Sequence, residues 1–204
     1  MKGLLLKDWL MLYKKNRLMF ALVLFYLLAS SASGNSFYGG FAILFLSVLP
    51  QTVLGLEERC KWNRYAIALP LTRRQIVLEK YLLALLGVGL GAALYLVFGF
   101  AGMVVTHRPI ELASLCPMLS IGLLFPAVNL PIVFRLGAEK ARLWYLLIVG
   151  FLAAAAGAFL VLMEDASLST GILSVLSWIL LPVCALLFAL SALLSVRIYE
   201  KKEL

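Results

Sequence analysis

The sequence predicts an all-α membrane protein: six transmembrane helices behind an N-terminal amphipathic interfacial helix, with both termini on the cytoplasmic side. Three observations carry this expectation. Hydrophobic types make up 64% of the 204 residues and charged types 14%, against roughly 45–50% and about 25% in soluble domains. Disorder is excluded because it requires low hydrophobicity. Six apolar stretches have the length of about 20 residues that a spanning helix needs. Finally, the basic residues sort to one side of those stretches, as the positive-inside rule demands of a multi-pass chain.

The first element is the arm Met1–Arg17. At about 100° per residue, Leu5, Leu6, Trp9, Leu10, Leu12 and Tyr13 share one broad face, with Lys7, Asp8, Lys14 and Lys15 opposite. Aromatics on the apolar side and lysines on the polar side suit a helix lying in the headgroup plane. Lys7, Trp9 and Tyr13 are its candidate interfacial residues. Lys14–Arg17, an apolar run and then Ala29–Ser33 follow the order of a cleavable signal. The long, patterned arm favours an uncleaved first span.

The expected spans are Leu18–Gly34, Phe37–Leu56, Tyr81–Val105, Leu112–Phe134, Leu143–Met163 and Gly171–Val196. Span three carries the small-xxx-small pair Gly87 and Gly91, and span five carries Ala153 and Gly157. Such pairs let helices approach closely, either within one subunit or across a dimer. Pro50, Pro126, Pro131 and Pro182 are expected kink sites.

The arm holds Lys2, Lys7, Lys14, Lys15 and Arg17. The loop after span two holds Arg59, Lys61, Arg64, Arg73, Arg74 and Lys80. Arg135, Lys140 and Arg142 follow span four, and Arg197, Lys201 and Lys202 form the tail. Of 18 Lys and Arg, only Arg108 is left for the other face, so both termini and both long loops are expected in the cytoplasm. The net charge of +8 is thus a topology signal and a contact with anionic lipid. No nucleic-acid partner is expected, since no binding motif accompanies the charge.

Several chemistries are disfavoured. Within the six stretches there is no Asp, Glu, Lys, Arg or His, whereas ion-coupled carriers place ionisable groups at mid-depth. No H-E-x-x-H or G-x-S-x-G motif occurs. The single His107 reads as a solvated loop residue, so no metal site is expected. No G-x-x-x-x-G-K-[ST] occurs either, so the chain is expected to be non-catalytic, with no cofactor of its own. The three cysteines, Cys60, Cys116 and Cys184, are expected to stay reduced.

The segment Glu57–Lys80 is the richest in signals. Trp62, Tyr65, Ile67 and Leu69 can anchor a short helix, and Glu58, Lys61 and Arg64 stand at i,i+3 spacing. Pro70 ends that helix. Thr72 and Gln75 match a capping box that starts a new helix into span three.

Met1-Lys2-Gly3-Leu4-Leu5-Leu6-Lys7-Asp8 resembles the arm of small permeases of the ABC-2 class. So does Glu58-Arg59 followed by Trp62-Asn63-Arg64-Tyr65, Leu69-Pro70-Leu71-Thr72-Arg73-Arg74-Gln75-Ile76-Val77 and Lys80-Tyr81. Within that class the resemblance is to the permease subunits of phenol-soluble-modulin exporters. It implies residues 1–17 as an interfacial elbow helix and 18–204 as a six-helix permease domain in a bacterial plasma membrane. It implies a second permease copy, as a homodimer, and two ABC ATPase subunits that bind ATP and Mg. It also implies a cytoplasmic coupling loop at 57–80, with Glu57, Glu58, Arg59, Lys61, Trp62, Arg64 and Tyr65 as ATPase contacts and Arg135, Lys140 and Arg142 as a secondary contact. The implied substrates are amphipathic or antimicrobial peptides. The competing reading, from another class, is a non-transporting membrane scaffold or immunity factor that protects against peptides.

Overall fold

The computed structural model describes residues 2–60, 62, 72–106, 114–138, 140–141, 144, 147, 150 and 170–201. These residues form seven helices: α1 (Lys2–Lys15), α2 (Arg17–Ser33), α3 (Ser36–Ser47), α4 (Leu49–Arg59), α5 (Arg73–Thr106), α6 (Leu115–Leu136) and α7 (Thr170–Glu200). Four stretches among them are long and apolar enough to cross a membrane: Ser36–Arg59, Arg73–Val104, Leu115–Leu136 and Trp178–Glu200. A fifth arises if α1 and α2, bent by 81° across Asn16, are counted together. Most of the expected span Leu143–Met163, including Ala153 and Gly157, lies outside the described residues.

The joints have local causes. α2 ends at Gly34, whose φ of 69° is the left-handed geometry of a helix C-cap, and its N–H bonds Ser30 O. Asn35 then caps α3, its side chain accepting from the Phe37 N–H at 3.0 Å. The chain thus turns from one helix to the next in two residues. α3 gives way to α4 at Val48, with Pro50 in the first turn of α4, where its missing N–H costs nothing. The start of α5 is the expected capping box: the Thr72 N–H donates to Gln75 Oε1 at 3.1 Å and the Gln75 N–H donates to Thr72 Oγ1 at 3.4 Å. With 34 residues, α5 is about 50 Å long and outruns a hydrocarbon core of about 30 Å.

Two apolar cores hold the helices. One joins Leu12 and Leu27 to Ile43, Leu46, Val53 and Val88. The other joins Val77, Tyr81 and Ala84 to Leu130, Phe134, Phe188 and Tyr199. α5 contributes to both. Gly87 and Gly91 serve packing inside the subunit: a Cβ on Gly87 would lie 2.6 Å from Leu46 O, and one on Gly91 would lie 3.2 Å from Ile43 Cα.

α3–α4 and α6 run in the same direction, tied at two levels within α6 and at a third just past its end. Ser47 Oγ donates to Gly122 O at 2.9 Å, Asn129 Nδ2 to Gln51 Oε1 at 2.6 Å, and the Ala138 N–H to both carboxylate oxygens of Glu58 at 2.8 Å. At one end of the bundle, the Tyr95 hydroxyl meets Ser36 and Ser114. The opposite end gathers α1, the end of α4, the start of α5 and the ends of α6 and α7. There Arg74 Nε pairs with Glu200 at 2.7 Å, and Arg73 donates to the carbonyls of Tyr199 and Glu200. All the described Lys and Arg residues sit toward this basic end.

One expectation needs correction. The helical period alone puts Asp8 beside Lys7 on the solvated face of the arm, yet Asp8 is fully buried and Lys7 partly so. Leu6, Trp9, Leu10 and Tyr13 form the exposed face of the arm. Within the segment 57–80, α4 continues to Arg59 and α5 begins at Arg73, and Glu57 and Lys80 pair with each other inside the fold.

Candidate functional site

Five ionisable side chains from three helices meet at the basic end. Lys80 of α5 is fully buried, and its Nζ lies 2.5 Å from Asp8 Oδ2 of α1 and 2.8 Å from Glu57 Oε1 of α4. Glu79 Oε2 is 3.5 Å away. Lys7 Nζ pairs with the same Glu57 oxygen and lies 3.0 Å from Asp8 Oδ1. It also sits 4.1 Å from the ring centroid of Trp62, a cation–π arrangement. Trp62 packs against the α5–α6–α7 core on its other side.

The chemistry of the cluster is structural. An ammonium has three donors and no acceptor, and Lys80 directs them at carboxylates from two other helices. Burial pushes the Asp8 carboxyl up, but the Lys80 charge, hydrogen bonds and Lys7 outweigh that and hold it below its ordinary value. Burial and the neighbouring Asp8 push the Glu79 carboxyl up to about 8, so the Asp8 and Glu57 carboxylates face Lys7 and Lys80, and removing either cation leaves a buried negative excess. Breaking a buried ion-pair cluster of this kind by removing one partner costs several kcal/mol. The arm, the exit of α4 and the entry of α5 are therefore bound into one base.

A second tie joins the end of α4 to the segment after α6. α6 ends at Gly137, whose φ of 86° suits glycine, and a new helical turn begins with Ala141 N–H bonding Gly137 O at 3.0 Å. The Glu58 carboxylate caps that turn through the Ala138 N–H. An acid at a helix N-terminus is favoured by both the free N–H groups and the helix dipole. Glu58→Ala is expected to lower stability by about 1 kcal/mol, read as a lower melting temperature in detergent.

Of the sequence-predicted contacts, Glu57 is buried and turned inward, Glu58 bridges to the second loop, and Trp62 folds back onto Lys7. Arg59 is exposed beside them, as are Arg135 and Lys140. Lys61, Arg64, Tyr65 and Arg142 lie outside the described residues. In the arm, Trp9 and Tyr13 are exposed while Lys7 joins the cluster. Sequence reading does not bring Asp8, Glu79 and Lys80 together as one site. Their signal is that Asp8, Glu57 and Glu79 are acids set among lysines and arginines, each abutting an apolar run. Cys60, Cys116 and Cys184 are free thiols.

Residues 3–200 match the family model described as ABC-2 family transporter protein. No curated protein and no solved structure matches the chain.

Proposed function

We propose, from the premise that this chain belongs to the ABC-2 transporter family as a membrane component, that it is the permease subunit of an ATP-driven exporter. The family implies a membrane setting and an ATPase partner. The finer reading is ours: two permease copies in a bacterial plasma membrane work with two ATPase subunits that hold ATP and Mg, and the cargo is an amphipathic or antimicrobial peptide.

The observation that supports this most is the buried cluster of Lys80, Asp8, Glu57 and Lys7, with Trp62 on Lys7. A force applied to the segment after α4 enters a base that already unites arm, α4 and α5. Rigid helices then carry it, and the subunit rocks between two packings as the ATPases close and open. The ATPase contacts would be supplied by that segment, through Arg59, Lys61, Arg64 and Tyr65, with Arg135, Lys140 and Arg142 as the secondary contact.

The test is co-purification with the cognate ATPase, joined to peptide-stimulated hydrolysis. Trp62→Ala/Arg64→Ala is expected to weaken association at least tenfold and to abolish stimulation. Unchanged association and stimulation would remove the coupling assignment. Purification with no ATPase, and protection from peptides that survives ATPase deletion, would instead establish the scaffold or immunity reading.

A further inference from the structure

Pro126 and Pro131 both stand inside α6. A proline has no N–H, so the carbonyl four residues before it loses its helical donor. Pro126 frees Gly122 O in this way, and Pro131 frees Ala127 O. Each freed carbonyl is taken by a serine of a different helix. Ser47 Oγ of α3 donates to Gly122 O at 2.9 Å, and Ser191 Oγ of α7 donates to Ala127 O at 2.5 Å. Gly122 and Ala127 are buried, and hydrocarbon holds no water to serve in place of the hydroxyls. The backbone of α6 thus offers a docking point to each of two neighbours.

The clasp at Ala127 belongs to a longer chain. Ser191 Oγ and Ser195 Oγ each lie 2.7 Å from the Tyr81 hydroxyl of α5. A carbonyl can only accept, so the single hydroxyl proton of Ser191 goes to Ala127 O. Ser191 Oγ then accepts from Tyr81, and Tyr81, its one proton used, accepts from Ser195. The order of donation is fixed from end to end: Ser195, Tyr81, Ser191, Ala127 O. Hydrogen bonds in series polarise one another, and this series joins α7, α5 and α6. On α7 both serines lie on one stripe, in which Cys184, Phe188, Ser191, Ser195 and Tyr199 recur at steps of three and four residues. Phe188 meets the Tyr81 ring with centroids 5.1 Å apart, and Tyr199 meets Phe134 at 5.6 Å. Leu187, Leu190 and Leu194 beside the stripe are exposed.

Apolar burial is non-directional, so side-chain packing alone would let α7 slide along α6. A bond to a fixed backbone oxygen does not. Ser191 also has a second acceptor within reach of a rotamer change, because a helical serine can turn to the carbonyl four residues back. Ser120 does so in this chain, donating to Cys116 O at 2.8 Å. We propose that Pro131 and Ser191 form a latch: the proline frees Ala127 O, and the serine on it holds α7 in register against α6 and α5 until its hydroxyl turns back to its own helix. Pro126 and Ser47 make the corresponding clasp toward α3, in a seam that Gln51 and Asn129 also tie. The latch is independent of the ATPase assignment.

The test is a set of matched and crossed variants of the full chain, melted in detergent. Ser191→Ala deletes one oxygen and is expected to lower the melting temperature by about 4 °C, the shift for one orphaned buried acceptor. Pro131→Ala returns an N–H to Ala127 O, so in that background Ser191→Ala is expected to cost less than half as much. Ser47→Ala and Pro126→Ala are expected to couple in the same way. The crossed pairs, Ser191→Ala/Pro126→Ala and Ser47→Ala/Pro131→Ala, are expected to be additive. Release of the latch is read separately, well below the melting temperature, by maleimide labelling of the native thiols followed by peptide mapping. Cys184 is 2% exposed on the α7 stripe, and exposed Cys60 marks complete labelling. Ser191→Ala is expected to speed labelling of Cys184 by about fivefold, and adding Pro131→Ala to bring the rate back toward native. An equal Ser191→Ala loss in the native and Pro131→Ala backgrounds overturns the proposal, because the hydroxyl then does not serve the freed carbonyl. So does a Cys184 rate that Ser191→Ala leaves unchanged, because α7 is then held without the clasp.

Discussion

Lys80→Met is expected to destabilise the protein by about 3–5 kcal/mol, the cost of breaking a buried charge cluster by removing one partner. Met keeps the length and much of the volume of the lysine stem, so the loss reports charge rather than a void. The native ammonium is fully buried and within 2.8 Å of both Asp8 and Glu57. Without it, the carboxylates of Asp8 and Glu57 share only Lys7, which is itself 22% exposed. Thermal unfolding in detergent, followed by tryptophan fluorescence, measures the change. The double variant Lys80→Met/Asp8→Asn is expected to be less damaged than the sum of its parts, because each substitution removes the other's uncompensated charge. A Lys80→Met protein that melts within 1 °C of the native chain would show that the base does not depend on this pairing.

The second large effect is expected at Gly87. A Cβ there would meet the backbone oxygen of Leu46 at 2.6 Å and its carbonyl carbon at 3.3 Å. Backbone cannot rotate aside as a side chain can, so α3 and α5 must separate. Gly87→Leu is expected to cost about 1–3 kcal/mol or more by overpacking. Gly89 is the internal control: an added Cβ there meets nothing within 4 Å, and Gly89→Ala is expected to gain up to about 1 kcal/mol from helix propensity. Opposite shifts in melting temperature at two positions one residue apart on either side of Val88 would verify the α3–α5 contact. Equal shifts would refute it.

Much of the fold is legible from local sequence. The capping box at Thr72 and Gln75 is read from four adjacent residues and is present as read. The crowding of arginine and lysine toward one end follows from charge counting, because a bilayer penalises misplaced cations strongly. The joint between the first two spans is set by Gly34 and Asn35, a C-cap and an N-cap back to back. The failures are non-local. Helical periodicity treats Asp8 as a solvated residue, and nothing near it reveals that its partner is Lys80, 72 positions away. Glu57 and Lys80 look like the flanks of a loop for the same reason. The inward turn of Trp62 depends on Lys7, which sequence places in a different element.

The three ties between α3–α4 and α6 have a mechanical consequence. Ser47 of α3 and Gln51 of α4 bond Gly122 and Asn129 of α6, and Glu58 of α4 bonds Ala138 just past the end of α6, in matching order along co-directional elements. A piston stroke of one turn, about 5.4 Å, would strip all three at once. The pair behaves as a braced strut: it tolerates tilting as a unit and resists sliding. Whatever opening this subunit undergoes must be accommodated at its other seams.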